Sequence, residues 1–316
     1  MDRFDFGNGG TMPALGLGTW KAEPGVVGDA VREAIRIGYR HFDCAPIYGN
    51  QAEIGQALAA AINDGEVQRK DLWITSKLWN SDHARADILP ALERTLSDLR
   101  LEYLDLFLIH WPVSLKAGVT FPRSGEDYLT DAEAPLNQTW AGMEQLVSRG
   151  LCRNIGVSNF GRGRIEKLLD SATIRPVVNQ VECHPFLAQN DLLDWCREQD
   201  IVLTAYSPLG SADRADMLKK PDEPKLFEDA TVIQVAEKYG LSAAQVLIAW
   251  ALQRGTSVIP KSSNPQRLRQ NFASSEAELG AADLASIDRL DRGYRYIDGA
   301  FWTGDGSPYT LENLWT

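Results

Sequence analysis

Four residues within the first 110 positions of the chain could move a proton together. Asp43 and Tyr48 lie in Gly38-Tyr39-Arg40-His41-Phe42-Asp43-Cys44-Ala45-Pro46-Ile47-Tyr48-Gly49-Asn50, Lys77 in Trp73-Ile74-Thr75-Ser76-Lys77-Leu78-Trp79, and His110 in Leu104-Asp105-Leu106-Phe107-Leu108-Ile109-His110-Trp111-Pro112. A phenol with an ordinary pKa of about 10 is a poor acid at neutral pH, so Tyr48 is expected to need a nearby cation that favours its ionised form. Lys77 and His110 are the candidates. Asp43, Lys77 and His110 each sit at the finish of an apolar, strand-like run, where a polar group is costly unless it is paired or put to use. Taken singly, each residue has a plainer reading: Asp43 and Lys77 as a structural ion pair, Tyr48 and His110 as satisfied polar side chains. The other histidines, His41, His83 and His184, read as structural.

The elements that must position these groups follow from the hydrophobic pattern. Strand-like runs occur near residues 15–19, 41–45, 73–78, 104–110, 154–158, 178–183, 202–207 and 257–261, and between them lie stretches with apolar residues at helical spacing, such as 26–37, 52–61, 88–99, 139–149 and 241–253. Alternation of this kind signals parallel βα units, and eight of them fit an α/β fold of the closed (β/α)8 TIM barrel type. In such a barrel the site lies at the carboxyl ends of the strands, where this parsing puts Asp43, Lys77 and His110. A doubly wound dinucleotide fold would instead carry G-x-G-x-x-G after an early strand; Gly16-Leu17-Gly18 and Gly161-Arg162-Gly163 both lack the third glycine. Phe4-Asp5-Phe6, Gly9-Gly10 and Met12 to Leu15 read as an N-terminal β-hairpin capping the lower mouth. Connections near 112–136 and 208–229, and the tail from about 293 to 316, exceed what joining elements requires, and long loops on a barrel's C-terminal face carry substrate specificity.

With 316 residues and 44% hydrophobic content, the chain can bury one large core, so a single domain over residues 1–316 is expected. A formal net charge of −11 argues against nucleic acid or an anionic membrane as partner. The N-terminal residues lack a basic segment followed by a long apolar one, and no apolar run approaches spanning length, which leads to the expectation of a soluble, cytoplasmic protein. Cys44, Cys152, Cys183 and Cys196 form no C-x-x-C pair and read as buried free thiols, with no metal site expected.

Further motifs follow in order: Gly156-Val157-Ser158-Asn159-Phe160, Asn179-Gln180-Val181-Glu182-Cys183-His184-Pro185, Ala205-Tyr206-Ser207-Pro208-Leu209-Gly210 and Ile259-Pro260-Lys261-Ser262. Together with the segments above, the chain resembles the aldo-keto reductases, NADPH-dependent carbonyl reductases on a (β/α)8 barrel, over nearly its whole length. The resemblance implies that Asp43, Tyr48, Lys77 and His110 are the catalytic tetrad. Tyr48 would protonate the carbonyl oxygen, Lys77 would lower the phenol's pKa, Asp43 would fix the lysine, and His110 would orient and polarise the carbonyl.

The resemblance also implies an NADPH site. Gly18, Thr19, Trp20 and Asp43 belong to it, Ser158, Asn159 and Gln180 match residues that bind the nicotinamide carboxamide, and Tyr206 matches the ring that stacks on it. Ser207, Leu209 and Ser211 correspond to a loop across the pyrophosphate, with Asp213 as a latch. Lys261, Ser262, Ser263, Asn264, Arg267, Gln270 and Asn271 resemble the 2'-phosphate and adenosine site, where cations, hydroxyls and a helix start suit a phosphate. Asn264 and Gln270 stand where relatives often carry threonine and glutamate, leaving NADH open as a weaker alternative. Trp20, Trp79, Trp111 and Trp302 are expected to wall the carbonyl pocket beside Tyr48 and His110, whereas Trp73, Trp140, Trp195 and Trp250 read as core. The family's usual Asn-Glu after the catalytic tyrosine is here Asn50-Gln51, a departure bearing on local packing.

The implied activity is reduction of an aldehyde, extending to aldoses or ketones, by a monomer acting on a small-molecule carbonyl substrate without metal. Two other readings stay open: a regulatory module that senses nucleotide with little turnover, and a barrel isomerase or lyase using Lys77 as a Schiff base, which requires Lys77 to be free of Asp43.

Overall fold

The computed structural model describes residues 2–7 and 10–316. Strands β1 (Arg3–Asp5) and β2 (Thr11–Pro13) pair antiparallel as the expected hairpin; Gly9, read as part of it from sequence, lies outside the described residues. Phe4 and Phe6 pack with Met12, Trp73, Leu106, Leu108 and Val178, which seals the barrel at the strands' amino ends.

Eight parallel strands follow in sequential order: β3 (Leu17–Gly18), β4 (His41–Asp43), β5 (Trp73–Leu78), β6 (Leu104–Ile109), β7 (Cys152–Ser158), β8 (Val178–Glu182), β9 (Val202–Tyr206) and β10 (Ser257–Val258). Leu15 bridges Val258 in parallel, Gly16 N–H donates to the Val258 carbonyl at 2.9 Å and Gly18 N–H to that of Pro260 at 3.1 Å. These bonds join the first barrel strand to the last and remove the open edges a sheet would otherwise present. Several strands stop short of the expected ends, but the next residue still makes one ladder bond: Cys44 N–H to Thr75 O (2.8 Å), His110 N–H to Leu78 O (3.1 Å) and Cys183 N–H to Tyr206 O (3.2 Å). These bonds fix the backbone at the strands' carboxyl ends.

The expected helices form at Val27–Ile37, Gln51–Asn63, Ile88–Leu99, Leu136–Ser148 and Ala243–Gln253. The last begins two residues later than the apolar pattern suggests because Ser242 caps it, its hydroxyl accepting the Gln245 N–H while the Gln245 side chain accepts the Ser242 N–H. Gly55 lets neighbouring helices touch: a Cβ there would lie 2.2 Å from the Asp98 carbonyl oxygen. The main core lies between strands and helices and holds Trp140, Trp195 and Trp250 as expected, while Trp73 belongs to the lower plug. All four cysteines are free and buried. Among the described residues no helix is long and apolar enough to cross a membrane.

The three long connections contain only short helical turns and knit together above the strands' carboxyl ends. Tyr128 OH donates to Trp302 O (2.8 Å), Ser114 N–H to Tyr309 OH (3.1 Å) and Tyr296 OH to Pro224 O (2.6 Å).

Buried histidines make this fold acid-sensitive. Burial lowers His41 to about 4, against the opposing bond of its Nδ1 with Pro13 O, and lowers His83 to about 3. The unfolded chain takes up these protons near pH 6.5 and the folded chain does not, so stability is full above that pH and falls as pH drops toward 4. His41 alone is worth about 3 kcal/mol across that window, from a displacement of roughly 2.5 pH units. The melting temperature is expected to drop steadily between pH 7 and 4.5; a flat profile there would contradict this account.

Candidate active site

Asp43 at the end of β4 and Lys77 in β5 sit on neighbouring strands, so the sheet spacing itself brings their side chains together. Lys77 Nζ donates to Asp43 Oδ2 at 2.7 Å, to Cys44 O at 3.0 Å and to Tyr48 OH at 3.2 Å. The lysine side chain is fully buried, and its three donors are all used. The second Asp43 oxygen accepts Gln180 Nε2 at 2.7 Å, so the carboxylate is held from two sides. Tyr48 lies on a turn whose following residue, Gly49, has φ 69°, a left-handed conformation suited to glycine. This turn folds the phenol back over Lys77.

His110 completes the group. Its ring stands edge-on to Tyr48 with centroids 6.0 Å apart and edge-on to Trp79 at 5.1 Å. Its Nδ1 is buried without a hydrogen-bond partner among the described residues, and the residue lines the cavity. Burial, then the Lys77 charge, holds the imidazole well below its ordinary pKa, so the ring is neutral at pH 7 and donates one hydrogen bond.

Tyr48 departs from the expectation for its proton. Burial raises its pKa well above the ordinary value, followed by the negative charge of Asp43 and then Cys44, so Lys77 does not leave the resting phenol acidic. The low-dielectric mouth penalises phenolate more than one ammonium at 3.2 Å repays. The hydroxyl therefore carries its proton throughout the neutral range.

Around this group lies a cavity of about 1130 Å³. One end is aromatic, with Trp20, Trp79, Trp111, Phe121 and Phe301, beside Ile47, Pro122 and Ile297; the other is polar and basic, with Lys261, Ser262, Ser263, Arg267, Gln270 and Asn271. Between them run Ser158, Asn159, Gln180, Tyr206, Ser207, Leu209 and Ser211. Asp213 bridges two cations at the rim, pairing with Lys21 and, at 3.3 Å, with Lys261.

A sequence model of the Aldo/keto reductase family matches residues 14–292. The chain belongs to this family. It is 55% identical to an aldo/keto reductase of Synechocystis sp. over 315 residues, covering 100% of this chain and 96% of that protein. It is 46% identical over 291 residues to the human aldo-keto reductase family 1 member A1, covering 92% and 89%. The structure of an aldose reductase from Schistosoma japonicum superposes with a TM-score of 0.87 at 37% identity, covering 96% of this chain and 97% of that one. The eight parallel strands and added hairpin are thus a (β/α)8 barrel of the aldo/keto reductase type, and the chain is an oxidoreductase of the kind that reduces carbonyls.

In this aldo/keto reductase most of the residues singled out from sequence line this cavity; Lys77 lies buried against Tyr48 without reaching the cavity, and three others stand off it as well. Trp302, expected on the pocket wall, is fully buried behind it, packed against Trp79 and Trp111 with centroids 5.9 Å away in each case, while its neighbour Phe301 faces the cavity. Thr19 turns away from the groove, its hydroxyl donating to Asp43 O at 2.8 Å. Asn264 caps the Pro265–Ala273 helix by accepting the Arg267 N–H. All three are supports for residues that do line the site.

The polar residues of the groove also bond to one another. Ser158 Oγ donates to Gln180 O (2.7 Å), Asn159 Nδ2 to His110 O (2.9 Å), and Tyr206 OH to Asn159 Oδ1 (2.7 Å). Asn50 donates to Thr19 O (2.9 Å), and Gln51 accepts the Ser76 hydroxyl at 2.6 Å, while its Nε2 is buried without a partner among the described residues. Sequence reasoning missed Lys21, Ile47, Phe121, Ile297 and Phe301. Lys21, Ile47 and Phe301 each adjoin a residue singled out from sequence (Trp20, Tyr48 and Trp302), whereas Phe121 and Ile297 carried no such signal.

Proposed function

We propose that this enzyme reduces aldehydes, and by extension open-chain aldoses or ketones, to alcohols with NADPH, Tyr48 acting as the general acid. The observation that carries this reading is the Asp43, Lys77 and Tyr48 chain at 2.7 and 3.2 Å with neutral His110 beside it, opening on a cavity that is aromatic at one end and basic at the other. The size and the donors of the basic end fit a phosphorylated dinucleotide: guanidinium, ammonium, two hydroxyls and the start of the Pro265–Ala273 helix. Lys261, Ser262, Ser263 and Arg267 would hold its phosphate, Ser207, Leu209 and Ser211 would lie along the groove, and Ser158, Asn159, Gln180 and Tyr206 would orient its reactive ring. When bound, such a cofactor supplies the hydride.

The chain's own groups supply the rest. His110, neutral, donates to the carbonyl oxygen and fixes its direction. Tyr48 gives its proton to that oxygen as charge develops there, and the Lys77 ammonium stabilises the phenolate that forms. Asp43 and Gln180 keep Lys77 aimed at the phenol. The aromatic end excludes water and accepts the apolar part of the substrate. The whole chain would work as one barrel unit, a cytoplasmic monomer.

Lys77 is fully buried and paired with Asp43, which disfavours a Schiff-base isomerase or lyase. The nucleotide-sensor reading is tested by following loss of NADPH absorbance with a panel of aldehydes, aldoses and keto acids. Turnover supports the reductase; tight NADPH binding without turnover on the whole panel supports the sensor. Replacing Arg267 by Ala removes one charge-assisted contact and is expected to raise the KM for NADPH roughly 10- to 100-fold while leaving that for NADH nearly unchanged. Equal effects on both cofactors would refute the assignment of Arg267 to the 2'-phosphate.

A further inference from the structure

Glu182 is a buried ionisable group that the proposed reaction leaves unused, and both of its carboxylate oxygens are held. It ends β8, two residues beyond Gln180 and opposite Tyr206, and is fully buried. Oε1 accepts His184 Nε2 and the Tyr296 amide N–H, both at 2.7 Å, and Oε2 accepts the Ile297 amide N–H at 2.7 Å. Burial pushes this carboxyl up, yet the His184 bond and charge, the Arg295 charge and the Tyr296 amide outweigh it and hold the group below the usual carboxylate range. A buried carboxylate is expensive, and charge-assisted bonds to two successive amides are the stronger kind. Packing alone would not need one here.

What those amides belong to gives the anchor its meaning. Ile297 and Phe301 line the aromatic end of the cavity, and both are carried by the tail that Glu182 grips. The same segment reaches the loop over the basic groove: Tyr296 OH donates to Pro224 O at 2.6 Å, Lys220 pairs with Asp298 at 2.7 Å, and the Arg214 guanidinium lies 5.0 Å from the Tyr296 ring centroid. Arg214 is itself buried and paired with Glu223.

We propose that Glu182 is a positioning residue whose buried carboxylate, by holding the Tyr296 and Ile297 amides, sets where the tail places Ile297 and Phe301, and so the width of the carbonyl pocket and the size of substrate it accepts. This rests on the reductase reading above. Glu182→Gln keeps the shape but leaves one acceptor oxygen for three donors and turns an NH2 toward an amide N–H. In the NADPH-bound full chain, its KM for a bulky aromatic aldehyde such as a naphthaldehyde is expected to rise about tenfold, as for a misfitting apolar pocket. For propanal, kcat and KM stay within about twofold, and so does the NADPH dissociation constant. Equal losses for the two aldehydes, or no loss for either, overturn the proposal.

Amide hydrogen exchange on the unaltered protein with NADPH tests the anchor even if the variant does not fold or no aldehyde is reduced. Tyr296 and Ile297 are expected to exchange among the slowest amides of residues 293–316. Exchange as fast as at the exposed amides of that tail overturns the proposal, whatever the fate of the reductase reading.

Discussion

Tyr48→Phe is expected to lower kcat for aldehyde reduction by roughly 10³-fold or more while leaving NADPH affinity within a few-fold, because the change deletes one hydroxyl and no packing surface. The size of the loss follows from geometry. Lys77 Nζ is 3.2 Å from that hydroxyl, and the ring beside it, His110, is neutral and has no acidic proton of its own to replace it as the acid. Since burial keeps the phenol protonated well above neutrality, activity should not fall as pH rises from 6 to 8 through loss of the Tyr48 proton. Steady-state rates and NADPH fluorescence titration together decide it: a phenylalanine variant that retains a tenth of the wild-type kcat would remove Tyr48 from the role of acid.

Lys77→Met should damage both rate and stability. The substitution leaves the Asp43 carboxylate buried with Gln180 as its remaining side-chain donor, and breaking a buried pair by removing one partner costs about 3–5 kcal/mol. For a protein of this size that corresponds to roughly 10 °C in melting temperature. Adding Asp43→Asn to this variant removes the orphaned charge and should recover much of the stability but none of the turnover, since no cation then stabilises a developing phenolate. Thermal denaturation beside steady-state rates separates the two effects. Recovery of activity in the double variant would show that the pair serves only the fold.

The two experiments draw on different levels of the molecule. Asp43, Lys77 and His110 were visible in the sequence because each is a polar residue closing an apolar run, and a barrel places all strand ends at one mouth. The register does the rest: β4 beside β5 and β5 beside β6 put the three side chains on adjacent staves. Local rules sufficed for the helix at Ile88–Leu99, whose apolar spacing is complete, and for the identity of the eight strands.

The sequence by itself determined the alternation of strand and helix, the polar strand ends at Asp43, Lys77 and His110 and the basic segment after β10, because period, strand-end polarity and charge are properties of neighbouring residues; Tyr48 joined them in a tetrad through the family resemblance. The tertiary structure alone decided which aromatic residue of the tail faces the pocket, since Phe301 and Trp302 are adjacent and only the packing of the tail against Trp79 and Trp111 selects between them. It also decided the direction of the Tyr48 shift, because desolvation depends on how deeply the mouth is covered and no local motif reports that. The same holds for the grip of Glu182 on Tyr296 and Ile297, residues 114 and 115 positions away. Contacts across such distances in the chain arise from loops folding over a finished barrel, and their energies are set by burial, which a linear sequence does not contain.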